Sequence, residues 1–152
     1  MAVCALLLLG CVQLYGQAVS VENGRYVPNL KLDIYHPANQ GASLRPAIVL
    51  IHGGRWTSFD KSTMHGTGEF LARAGYVAFA VDYRLFHGAE NSWPAQLDDL
   101  QRAVHWIRAN AAKHGVNPDH IGAFGHSAGA QLACLLCMED TRQLRSQSRY
   151  LR

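Results

Sequence analysis

Two stretches of this 152-residue chain are too apolar to face water on either side. Pro46 to Ile51 (PAIVLI) and Tyr76 to Tyr83 (YVAFAVDY) are continuous and rich in β-branched and aromatic residues, as strands covered on both faces are. Within RYVPNLKLDIYHP, the residues Leu30, Leu32, Ile34 and Tyr35 predict a further strand, broken by Pro37, Asn39 and Gly41. Helical spacing appears between these runs. One helix is expected over Ser62 to Ala74, capped by Ser62 and stopped by Gly75. The clearest helix runs from Ser92 to Gly115, with Leu97, Leu100, Val104 and Ile107 on one face and Gly115 as its end. NPDHIGAFG then reads as a turn and a strand, and a last helix begins at about Ser127. Strands alternating with helices through short polar loops indicate an α/β fold, a three-layer αβα arrangement around a mostly parallel sheet. The final residues hold no strand-like run. Further strands are therefore expected beyond Ile121 to Phe124, which would otherwise be an exposed apolar edge.

Composition narrows the class. With 49% hydrophobic and 16% charged residues and a net charge of +3, the chain has the profile of a soluble globular domain, neither disordered nor multi-span. That charge is no footprint for nucleic acid, and the arginines Arg142, Arg145, Arg149 and Arg152 read as a solvated face or tail. The first eighteen residues carry one short apolar run and no charge. This suits a signal peptide cleaved after Ala18, with residues 19–152 as the folded portion and an extracytoplasmic location. The run is too short to span a membrane. An alternative is a lipoprotein box at Leu8 to Cys11, with Cys11 as the lipid anchor. Cys134 and Cys137, one helical turn apart among Leu132, Leu135 and Leu136, are expected to be buried packing residues and not a redox pair.

The chemistry lies in IGAFGHSAGAQLACLLC. Gly125-His126-Ser127-Ala128-Gly129 matches the Gly-x-Ser-x-Gly elbow, in which a strand turns sharply into a helix and presents a serine oxygen above the strand ends. The elbow glycines Gly125 and Gly129 are needed because strand and helix come too close there for a side chain. His52-Gly53-Gly54-Arg55-Trp56 follows the strand Pro46 to Ile51. Glycines let backbone approach a substrate, and backbone N–H groups aimed at a developing oxyanion lower the barrier to acyl transfer. This loop would supply one half of an oxyanion hole, and the N–H of Ala128 the other.

PAIVLIHGGRW, AFAVDYRL and WPAQLDDLQRAVHWIRANAAKHGVNPDHIGAFGHSAGA together resemble the α/β-hydrolase fold. They are most similar to the bacterial esterase and lipase-like branch carrying His-Gly-Gly-x-Trp, which includes acetyl-xylan and feruloyl esterase-like enzymes and formamidases. The resemblance runs from about Asn29 to Cys137. It implies Ser127 as the nucleophile and Gly53, Gly54 and Ala128 as oxyanion-hole donors. Small-molecule or polysaccharide-linked esters are the implied substrates, with no metal and no organic cofactor. Arg55 stands where many relatives have glycine, and its side chain is expected to crowd or charge the acyl pocket. Trp56 and Asp82-Tyr83-Arg84-Leu85 are implied to be structural parts of the loops beside the site.

In this fold the triad runs serine, acid, histidine along the chain. After Ser127 the only acids are Glu139 and Asp140, and no histidine follows. His126 is expected to point away from the serine oxygen, and His52 to brace the oxyanion loop. His65, His87, His105, His114 and His120 read as loop or helix-surface residues without metal-ligand spacing. The expectation is the amino-terminal portion of a longer serine hydrolase. The alternatives are an inactive remnant that keeps the cleft, or a hydrolase of formamide or peptide bonds.

Overall fold

The computed structural model describes residues 19–38 and 43–149, with side chains up to residue 138. The expected signal peptide, Cys11, Asn39 and Gly41 lie outside the described residues. Five strands form one mixed sheet: β1 (Ser20–Val27), β2 (Leu30–His36), β3 (Arg45–Ile51), β4 (Val77–Val81) and β5 (Val116–Gly125), in the order β1-β2-β4-β3-β5. β4, β3 and β5 run parallel, while β1 and β2 are antiparallel additions beside β4. β1 had no separate expectation in the sequence. Its first four residues are exposed, so its hydrophobic signal is weak, and it forms by pairing with β2.

Alternation within the buried strands divides the core into two layers. Ala47, Val49, Ile51, Val77, Phe79 and Val81 face α2 (Ala95–Ala109) and α3 (Ala128–Arg149), meeting Leu97, Leu100, Ile107 and Leu132. Leu50, Ala78 and Ala80 face the other way, toward α1 (His65–Arg73) and its neighbour Met64. This is the expected three-layer arrangement. The edge strand β5 leaves Phe124 47% exposed.

Local chemistry explains the boundaries. Gly75 at φ +95° and Gly115 at φ +64° turn the chain out of α1 and out of the 3-10 turn that follows α2. The expected cap at Ser62 is a correction. Asp60 is the cap, its carboxylate accepting the Ser62 N–H at 2.7 Å, and it opens a 3-10 turn (Lys61–Met64) before α1. Asp60 satisfies the free Ser62 N–H with a full charge, and Ser62 itself falls inside the turn. Cys134 and Cys137 are exposed, against the expectation of burial. Leu132, Ala133 and Leu136 take the buried positions of α3, and Cys137 borders a small cavity with Ile121 and Leu136.

Candidate active site

β5 ends at Gly125 and α3 starts at Ala128, so His126 and Ser127 make the whole turn. Ser127 sits there at φ +54°, a left-handed conformation that costs a residue with a side chain roughly 1–2 kcal/mol. Its surroundings impose that strain. A Cβ on Gly125 would lie 2.1 Å from the Gly129 carbonyl oxygen, and one on Gly129 would lie 2.1 Å from the Ile51 carbonyl oxygen. The obstacles are backbone atoms, which cannot swing aside. The turn is closed by the N–H of Gly129 donating to the His126 carbonyl at 2.9 Å and that of Ala130 to the Ser127 carbonyl at 2.9 Å.

The loop after β3 faces this turn. A Cβ on Gly53 would stand 3.3 Å from Ser127 Cβ and 2.8 Å from the His126 carbonyl, so loop and elbow are in contact. Gly54, at φ +108°, turns its carbonyl to accept the N–H groups of Thr57 and Ser58, each at 3.0 Å. The N–H groups of Gly53 and Gly54 find no acceptor among the described residues. That of Ala128, the first in α3, has none within its helix by geometry. Three free donors therefore lie around Ser127.

His52 holds the loop in place. It is 1% exposed, and its Nδ1 lies 2.7 Å from the Gly53 carbonyl. A carbonyl only accepts, so Nδ1 carries the proton of the neutral ring. The imidazole stacks on Tyr83 at 4.2 Å and 8°, and the Tyr83 O–H donates to the His52 carbonyl at 3.0 Å. Burial holds the His52 pKa below the usual histidine value and pushes Tyr83 up to about 12. Neither group is arranged to titrate near neutrality.

A second brace was not read from the sequence. Asp99 of α2 is fully buried and receives Nε and Nη2 of Arg84 at 2.8 Å each, together with the Arg84 backbone N–H at 2.9 Å. Gln96 donates to the carbonyls of Arg84 and Asn91 at 3.1 and 2.7 Å. These bonds fix the segment after β4, whose Phe86 N–H donates to the Trp56 carbonyl at 2.8 Å. The available signal was a carboxylate three residues from Gln96 and four from Ala103, on the buried face of the helix.

One cavity opens at the elbow and a second shares Arg55 with it. The first, of about 700 Å³, contains Ser127, His126, Gly53, Gly54 and Phe124; the other, of about 340 Å³, is walled by Trp56, Phe86 and Trp93. Arg55 lines both, at φ +55°. The histidines do not assemble on the serine. His126 turns its Nδ1 toward Gly53, 3.1 Å from a Cβ built there, and no imidazole hydrogen-bonds Ser127 among the described residues. His114 is a correction: it is buried at 5% exposure and does not lie on a surface, because the 3-10 turn (Ala112–His114) tucks it against Phe79 and Trp106.

The BD-FAE family model matches residues 32–151. Among curated proteins, the probable carboxylic ester hydrolase LipM of Mycobacterium tuberculosis is 32% identical over 126 residues, covering 82% of this chain and 29% of its own length. The isoprenylcysteine alpha-carbonyl methylesterase ICME of Arabidopsis thaliana is 30% identical over 122 residues, covering 80% and 28%. A thermophilic esterase of Thermogutta terrifontis superposes with a TM-score of 0.66 at 36% identity, over 80% of this chain and 44% of that one. The same enzyme has been solved phosphorylated by paraoxon, and matches at 38% identity and a TM-score of 0.66, over 79% and 46%. The chain thus spans less than a third of these curated relatives and less than half of the solved esterase.

Proposed function

This chain belongs to the BD-FAE family of α/β-hydrolase esterases and lipases, and on that premise we propose that it is the nucleophile-bearing part of a carboxylic ester hydrolase. The observation that carries the reading is Ser127, held at φ +54° against a loop whose N–H groups are unpaired. In the proposed reaction Ser127 Oγ attacks the ester carbonyl and loses its proton to a base. The carbonyl oxygen gains the negative charge, which the N–H groups of Gly53, Gly54 and Ala128 receive. Removing one such donor typically costs a hundred- to a thousand-fold in rate. The alcohol leaves with the proton, and water then hydrolyses the acyl-serine.

A base must come within about 3 Å of the serine oxygen. The proposal places that histidine and its acid in sequence outside these 152 residues, for which the greater length of the relatives leaves room. The aromatic walls of Trp56, Phe86 and Trp93 support an ester with an apolar part, free or polysaccharide-linked. An extracytoplasmic site of action is part of the same proposal, resting on the charge-free apolar run of the first eighteen residues.

A second reading, a binding remnant without turnover, is favoured by the lack of any imidazole on Ser127 among the described residues. A fluorophosphonate probe and mass spectrometry separate the two. An adduct on Ser127 that disappears in Ser127→Ala supports the hydrolase. A folded chain that takes up no probe even when a segment carrying the histidine and acid is supplied favours the remnant. Slow 4-nitrophenyl acetate hydrolysis is also expected, since an oxyanion hole alone can retain about 10³–10⁴-fold over water.

A further inference from the structure

The histidines that the ester chemistry leaves unused include two that converge at the far end of the molecule. His36 closes β2, and β2 pairs Tyr35 with Ala78 near the start of β4. His114 ends the 3-10 turn just before β5 begins. Glu22, on β1, lies between them. Its Oε2 is 3.8 Å from His36 Nε2 and 3.8 Å from His114 Nδ1, and the three donor atoms lie within 4.8 Å of one another. All three sit where the parallel strands start, while Ser127 sits where they finish.

The spacing is too long for hydrogen bonds and suits an ion. For a triangle with two sides of 3.8 Å and a third of at most 4.8 Å, the equidistant point lies no more than about 2.5 Å from each corner. Zinc takes imidazole nitrogen at about 2.0–2.1 Å and carboxylate oxygen at about 2.0–2.2 Å, so a contraction of a few tenths of an ångström completes the shell. The surroundings fit that occupant. The His114 side chain is 2% exposed, so an ion on its Nδ1 would be screened from bulk water, and zinc there would fix the ring with its proton on Nε2. Lys113 Nζ binds the other Glu22 oxygen, Oε1, at 3.2 Å, orienting the carboxylate and leaving Oε2 free. The His36 and His114 rings stack at 5.6 Å and 29°, and one nitrogen of each approaches the same Glu22 oxygen.

We propose that Glu22, His36 and His114 form a zinc site, with a water in the fourth position, that clamps β1 and β2 to the turn before β5. Its place at the opposite end of the sheet from Ser127 makes it a structural clamp and not part of the ester chemistry. The three ligands come from well-separated parts of the chain, so no local motif announces them.

The test uses the whole chain, freed of metal with EDTA. Calorimetric titration with Zn²⁺ should show one ion per chain. Co²⁺ should give the intense visible absorption of a four-coordinate site. The melting temperature should rise by roughly 5–10 °C at a hundredfold excess of Zn²⁺ over its Kd. Glu22 is half exposed, so Glu22→Gln keeps the fold, checked by circular dichroism, and should weaken binding at least tenfold and abolish the Co²⁺ spectrum. His36→Gln should do the same. Absence of stoichiometric binding overturns the proposal, and so does zinc affinity that Glu22→Gln leaves unchanged.

Discussion

Gly66 and Gly129 both lie in helices, yet alanine at the two positions should act in opposite directions. On intrinsic propensity alone, each Gly→Ala change would gain up to about 1 kcal/mol. At Gly66, in α1, nothing lies within 4 Å of the added Cβ, so that gain should appear. At Gly129 the Cβ would stand 2.1 Å from the Ile51 carbonyl oxygen, 2.5 Å from that of His52 and 2.7 Å from the Ile51 carbonyl carbon. Ordinary contact begins at 3.4 Å, so α3 must move off the end of β3 by roughly 1.3 Å. Overpacking into yielding side chains costs about 1–3 kcal/mol, and here every obstacle is main chain. The shift also pulls on the His126 N–H bond to the Ile51 carbonyl, 3.3 Å long already. Gly129→Ala should therefore lose at least about 3 kcal/mol, while Gly66→Ala gains up to about 1 kcal/mol. Urea denaturation followed by tryptophan fluorescence measures both, with unchanged m-values confirming that stability alone has moved. A Gly129→Ala chain as stable as the parent would refute the steric account of the elbow.

Two other sites carry predictions. Asp99→Ala should cost about 3 kcal/mol in the same denaturation experiment, because it strands the Arg84 guanidinium and backbone N–H. That is the low end for a broken buried pair, since the Arg84 side chain is 37% exposed and water can reach it. Tyr83 carries a pH prediction. Its folded pKa, about 12, lies above the unfolded value of 10, so its contribution is complete below pH 10 and is lost as pH rises toward 12. Two units correspond to roughly 3 kcal/mol. Tyr35 is raised to about 12 as well and Tyr26 is raised further by burial, so Tyr83→Phe should remove one share of the alkaline loss and leave the rest. Equal alkaline slopes in parent and variant would count against burial as the cause.

What could be read in the sequence was whatever depends on near neighbours. β3, β4, the apolar face of α2 and the elbow at Ser127 each announce themselves within a dozen residues, by continuous apolar runs, helical spacing or paired glycines. β1 could not be read this way, because an exposed edge strand exists through its hydrogen bonds to β2 and not through its side chains. The buried Asp99 and His114 were hidden for a related reason. Each is polar, and only the fold supplies the surroundings that make its burial tolerable. Cys134 and Cys137 failed in the other direction. Apolar neighbours argued for burial, but the buried stripe of α3 runs through Leu132, Ala133 and Leu136 and leaves both cysteines exposed. At the candidate site the sequence named the serine and the loop, but not the Arg84–Asp99 brace.

The parallel pairing of β3 with β5 has a consequence for how the site comes into being. Ile51 stands opposite Gly125, so the loop and the serine meet only after the chain between them, carrying β4, α1 and α2, has been laid down and packed. Such distant pairings close late, because their loop entropy must be overcome before the contact rewards it. A partly folded chain could hold its helices and the β1–β2 hairpin and still not have brought Ser127 to the loop of Gly53 and Gly54. On the proposed function, probe capture by Ser127 would then clock the final closure of the sheet, and its lag behind helix formation during refolding would time that step.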